Sequence, residues 1–122
     1  MTSAQTTVRQ PHPSATDLRT FRVTLCRPAE AYPIDKEERV TQLRRILAHY
    51  TKISTRFISA HVEICDTPCE AYCVTFTATP EMILRDEISR QVERLTAQQI
   101  RIFICEQTGI WPRFLQVKEV KE

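Results

Sequence analysis

The chain has 122 residues, 42% of them apolar and 26% charged, and a formal net charge of +2. That length suits one globular domain and is too short for two. So small a net charge supplies no global field for nucleic acid or an anionic membrane, and no apolar run approaches the roughly 18 residues that span a bilayer.

Residues 1–17 hold Pro11, Pro13 and many small polar side chains, with neither a hydrophobic period nor the apolar core of a secretory signal. They cannot bury enough surface to offset their ordering entropy. They read as a disordered tail ahead of one α+β domain at 18–122. The first ordered segment is 21–26, where Phe21, Val23 and Leu25 alternate with Arg22, Thr24 and Cys26, the period-two pattern of a half-buried strand. Pro28 and Pro33 bracket the loop that follows.

Asp35 then serves as a helix N-cap, with Glu38 placed to complete a capping box. Val40, Leu43, Ile46, Leu47 and Tyr50 recur at helical spacing, and Glu37, Arg44, Arg45 and Lys52 take the wet side. Alternation returns at 57–65, with Ile58, Ala60, Val62 and Ile64 on one face. It returns again at 71–78, with Tyr72, Val74 and Phe76. The turn-rich link Asp66, Thr67, Pro68 makes the two runs a β-hairpin.

Thr79 followed by Pro80 starts a second helix, which Leu84, Ile88, Val92 and Leu95 would bury. Its wet side carries Glu81 with Arg85 and Asp86 with Arg90, both at i,i+4 spacing. Residues 100–105 read as the fourth strand. After the Thr108-Gly109 turn, 114–120 would add a fifth strand or form part of a C-terminal arm, residues 110–122.

The order β-α-β-β-α-β resembles the ferredoxin-like superfold over residues 18–105. The resemblance implies a sandwich of two helices on one face of a four-stranded antiparallel sheet, and says little about function. The face turned from the helices should show Arg22, Thr24, Cys26, Ser59, His61, Glu63, Cys65, Cys73, Thr75, Thr77, Arg101, Phe103 and Cys105.

Five cysteines are an odd number, and with no secretory signal ahead of them they imply reduced thiols and a cytoplasmic protein. If the hairpin is symmetric about Cys69, then Cys65 faces Cys73, and Cys26 ends its strand at the same edge. The four could converge on a metal, but they lack the short Cys-x-x-Cys spacing of zinc sites; apolar filler is the plainer reading, a redox or intermolecular disulfide is the next alternative, and no metal or other cofactor is assigned.

RNA-recognition motifs share this element order, yet Ala71 and Cys73 stand where aromatic rings would stack on bases, and Glu70 opposes phosphate. Phe103, Arg22 and Arg101 offer a weaker platform, so nucleic acid is not the favoured partner. His61 and Glu63 could serve an active Cys73, but i and i+2 side chains of a strand stand about 7 Å apart, and no catalytic residue is assigned. A single glycine, Gly109, excludes Gly-rich phosphate loops.

An open sheet face, two edges and the aromatic residues Trp111 and Phe114 point to contact with another protein. The leading expectation is a non-catalytic binding or adaptor module that self-associates or takes a protein partner. Arg22, His61, Arg101, Phe103, Trp111 and Phe114 are its candidate binding residues. A dimeric enzyme with its site on the sheet is the further alternative.

Overall fold

Pairing with a neighbouring strand carries the first strand further back than the alternation of Phe21, Val23 and Leu25 alone suggests. In the structure, a computed structural model describing residues 16–26, 35–66, 69–84 and 92–121, β1 runs Thr16–Cys26. Thr16 and Asp17, expected in the tail, begin it; residues 1–15 lie outside the described residues, as does the loop with Pro28 and Pro33.

Helix α1 (Lys36–Thr51) follows its caps closely. The Asp35 carboxylate accepts from the backbone N–H of Glu37 at 3.0 Å, and Glu37 and Glu38 place negative charge on the helix N-terminus. Glu38 is not part of a reciprocal box. Leu43, Ile46 and Leu47 are buried, and Val40 and Tyr50 are half-buried beside them. Lys52 ends the helix in the left-handed region at φ 63°, its N–H donating to Ala48 O.

A 3₁₀ turn (Thr55–Phe57) leads into β2 (Ile58–Glu63), which pairs antiparallel with β3 (Cys69–Ala78). Ile64, expected on the buried face, lies past the strand and is fully exposed. Thr67 and Pro68 of the link are outside the described residues.

Thr79 and Pro80 open a short helix, α2 (Pro80–Leu84), where the Thr79 hydroxyl accepts from Met82 N–H. Arg85, Asp86, Ile88 and Arg90 lie outside the described residues, and with them the expected ion pairs. Val92 and Leu95 are buried in the core.

The segment 100–105 corrects the sequence reading. It belongs to helix α3 (Ala97–Thr108), not to a strand. Apolar residues at 100, 102, 103 and 104 satisfy either period, so the ends decide. Thr96 and Gln99 form a full capping box, Thr96 Oγ1 accepting from Gln99 N–H at 3.1 Å and Gln99 Oε1 from Thr96 N–H at 3.0 Å. Gly109 closes the helix at φ 75°. Ile100 and Ile104, one helical turn apart, are buried, while Ile102 is exposed. Residues expected as a fifth strand or arm supply the fourth strand instead: a 3₁₀ turn (Pro112–Phe114) leads into β4 (Leu115–Val120), which pairs antiparallel with β1.

The result is an α+β fold with a four-stranded antiparallel sheet in the order β2-β3-β1-β4. Phe21, Val23, Leu25, Ile58, Tyr72, Val74, Phe76 and Leu115 join Leu43, Leu47, Ile100 and Ile104 from the helices in one buried cluster. Phe21 and Phe76 meet edge to face at 6.1 Å, worth about 1 kcal/mol beyond their burial.

Two polar networks sit on this buried side. Arg39 and Glu70 are 4% and 8% exposed and paired at 3.4 Å, and the Tyr72 hydroxyl donates to Glu70 at 2.6 Å. Arg19 forks onto Glu119 at 2.8 and 2.7 Å and donates to the carbonyls of Val92 and Leu95.

The chain also repeats itself. Arg44 of α1 donates to Ile58 O and Thr55 O, 14 and 11 residues downstream. Arg101 of α3 donates to Leu115 O and Pro112 O at the same two spacings. Thr51 and Thr108 each bond back one turn, to Leu47 O and Ile104 O, and each hydroxyl accepts from an isoleucine N–H, of Ile53 and Ile110. The shared sequence Thr-x-Ile-x-x-Arg-Phe, at 51–57 and again at 108–114, carries the repeat. Helix, left-handed cap, 3₁₀ turn and edge strand thus occur twice, and each arginine covers carbonyls where an edge strand starts.

Candidate functional site

Because strand side chains alternate, the ladders that bury one set of residues fix what stands on the other side. Read across β4, β1, β3 and β2, one row is Lys118, Arg22, Cys73, His61. A neighbouring row is Gln116, Thr24, Ala71, Glu63, and the row on the other flank is Val120, Thr20, Thr75, Ser59. Apart from Ala71, every residue in these rows is exposed or half-buried, against a mean near zero exposure for the core side chains of β1 and β3.

The face is polar and partly self-organised. The Thr20 and Thr75 hydroxyls share a hydrogen bond at 3.1 Å. Arg22 reaches across β3 to Glu63, Nε to Oε1, at 2.8 Å. Beside this pair lies a shallow depression of about 610 Å³ lined by Arg22, Thr24, His61, Glu63, Ile64 and Cys65, among others.

His61 and Cys73 are direct cross-strand partners, and Glu63 follows His61 on the same face. Their donor atoms lie within 4.8 Å of one another, closer than the spacing of two flat-strand side chains suggested. Burial raises the Cys73 thiol above its ordinary range, and the Glu63 carboxylate pushes it the same way, outweighing Arg22. At neutral pH it is a thiol, which works against a thiolate nucleophile there.

The cysteines arrange themselves differently from the expected convergence. The β1–β3 register puts Cys26 opposite Cys69, and the two form a disulfide. Cys69 therefore belongs to β3 rather than to the hairpin loop, and Cys73 faces His61 instead of Cys65. The Cys65 thiol donates to Cys69 O at 2.8 Å. Cys65, Cys73 and Cys105 are free, so the expectation of all-reduced thiols is corrected at two positions.

Of the candidate binding residues, Arg22 and His61 stand on the open face. Arg101 and Phe103, like Cys105, are on α3 and not on the sheet. Phe103 stacks on Tyr50 of α1 at 4.2 Å with rings 6° from parallel, and so ties the two helices together. Trp111 is 63% exposed ahead of the second 3₁₀ turn, while Phe114 packs on the core under Arg113. Thr77, expected on the open face, is buried with its hydroxyl on Phe57 O.

The His61–Cys73 pairing and the disulfide follow from register, which the hairpin sequence alone leaves open by residues. The repeat was readable from Thr-x-Ile-x-x-Arg-Phe, and would have placed α3 and β4 by analogy with α1 and β2.

Comparison with protein-family models, with curated proteins and with solved structures gives no match. Among the described residues no helix is long and apolar enough to cross a membrane.

Proposed function

We propose that this domain is a non-catalytic binding module whose open sheet face pairs with the same face of a second copy. The observation that carries the reading is the one-sidedness of the sheet. Its other side is closed by the core, while among the described residues Arg22, Cys73, His61, Thr75 and their neighbours stand exposed or half-buried on the two central strands and beyond.

Charge on the face is self-complementary. Lys118 and Arg22 lie on the β4–β1 half, and Glu63 lies on β2. A two-fold axis parallel to the strands lays β4 of one copy on β2 of the other, bringing Lys118 over His61 and one row from Glu63, within reach of a lysine side chain. The edges are poorer candidates, because Arg44 and Arg101 cover carbonyls at the start of each. A nucleic-acid role has less support, since no Phe, Tyr or Trp stands in the three rows of the face.

The finer architecture belongs to the same proposal. The order β2-β3-β1-β4, with α1 against β2 and β3 and α3 against β4, supports a ferredoxin-like sandwich as the frame of a single domain. The cytoplasm is its proposed setting, with three free thiols in support; a Cys26–Cys69 bond that persists in cells would overturn it. Alkylation of the protein in intact cells, followed by mass measurement, tests that setting through the state of Cys26 and Cys69.

Sedimentation of the full chain tests the pairing. A dimer that weakens with salt and becomes monomeric in Lys118→Glu supports it. A monomer at all concentrations overturns it. So does a dimer indifferent to Lys118→Glu but lost in Trp111→Ala, which would move the contact to the 3₁₀ turn.

A further inference from the structure

We propose that His61, Glu63 and Cys73 form a zinc site on the open sheet face, with the fourth coordination position left to water or to an incoming donor. The three donors come from one chain, so the site does not rest on the pairing of two copies.

Ladder register builds the site, not a loop. His61 and Cys73 are opposed on β2 and β3, and Glu63 is the next residue on the same side of β2. Zinc bond lengths of about 2.0–2.3 Å put tetrahedral donors about 3.5 Å apart. Donors already within 4.8 Å of one another must close by about 1 Å, which side-chain rotation supplies at exposed His61 and half-buried Glu63 and Cys73.

The donor chemistry selects the metal. One imidazole nitrogen, one thiolate and one carboxylate oxygen suit zinc, whereas calcium and magnesium take oxygen ligands. Thiolate and carboxylate together offset the charge of a divalent ion, and binding transfers the Cys73 proton to solvent.

The surroundings fit as well. Arg22 Nε holds Glu63 Oε1 at 2.8 Å, fixing the carboxylate while its other oxygen remains for the metal. Cys26 and Cys69 are committed to each other and do not compete for the ion. Three protein ligands with an open position is the arrangement of zinc sites that exchange a ligand rather than of closed structural ones. The ligand class it would take is therefore a single further donor: a water, a carboxylate or an imidazole.

Titration of the full, oxidised chain with cobalt(II) is the test, because a cobalt–thiolate bond gives a charge-transfer band in the near ultraviolet. One ion per chain is expected, with the band present and displaced by zinc. Cys73→Ser should abolish the band, and His61→Ala should weaken binding about tenfold or more. Cys65→Ser and Cys105→Ser should leave both unchanged. Circular dichroism on each variant establishes that it is folded; His61 is exposed, so its variant carries the test if Cys73→Ser does not fold. Cobalt binding without a thiolate band overturns the proposal. So does a band that survives Cys73→Ser, or affinity indifferent to His61→Ala.

Discussion

Reducing the Cys26–Cys69 bond should lower the stability of the domain by about 4 kcal/mol. The bond joins residues 43 apart in sequence. In the chain-entropy description, a loop of that length loses about 13 cal/mol/K when it is closed in the unfolded state, or about 4 kcal/mol at 25 °C. The folded state needs no such constraint, because Cys26 and Cys69 already oppose each other in the β1–β3 ladder. Opening the bond therefore acts mainly on the unfolded chain.

Urea unfolding of the oxidised and phosphine-reduced protein measures the effect, with the Cys26→Ser/Cys69→Ser double variant as control. With an m-value of about 1.5 kcal/mol/M, the midpoint should fall by about 2.7 M. The reduced chain should also show a larger m-value, since its unfolded state exposes more surface. The remaining cysteines are free, so the reductant has no other bond to break. A midpoint that moves by less than about 0.5 M, in both the reduced protein and the double variant, would refute the loop-entropy account.

Glu70→Ala should cost about 3 kcal/mol by leaving buried Arg39 without its carboxylate, whereas replacing Arg39, Glu70 and Tyr72 together by apolar residues of similar volume should cost much less; chemical denaturation of both variants decides. Arg44→Ala and Arg101→Ala should each cost about 1–2 kcal/mol, and hydrogen exchange should rise locally at the start of β2 in one and of β4 in the other; grossly unequal effects would deny that the two clamps are equivalent. The hydrogen bond from Arg19 holds the Glu119 carboxyl below its ordinary value of 4.5. A depressed carboxylate stabilises the fold above its unfolded pKa, and the contribution is lost as pH falls through the folded pKa. The acid limb of a stability–pH profile should therefore flatten in Glu119→Gln, and an unchanged slope would count against the Arg19 pairing.

Where one period dominates, sequence and structure agree. Phe21, Val23 and Leu25 placed β1, and the stripe from Leu43 to Leu47 placed α1, because neither set fits the other period. Residues 100–104 failed for the opposite reason. Ile100, Ile102 and Ile104 alternate as in a strand, while Ile100 and Ile104 also lie one helical turn apart, and the Thr96–Gln99 box that settles the matter lies outside the apolar run. Misplacing α3 put Arg101, Phe103 and Cys105 on the wrong surface. On β1–β3 the open face was legible, since alternation fixes sides. Cross-strand neighbours were not, because a hairpin register shifted by an even number of residues re-pairs every residue without altering the pattern. The placement of Cys69 in a strand rather than a loop decided both the disulfide and the His61–Cys73 pair.

The repeated halves do not stand side by side; they interlock. Among the described residues, none of the strand ladders joins two strands of one half: β1 pairs with β3 and β4, and β2 with β3. A polypeptide cut between Glu63 and Cys69 would yield two pieces, one with β1, α1 and β2 and the other with β3, α2, α3 and β4, neither with a native strand pairing of its own. Each piece is the complement of the other, so cooperativity in this small protein is written into its threading, and neither copy of the motif can outlive the loss of its twin.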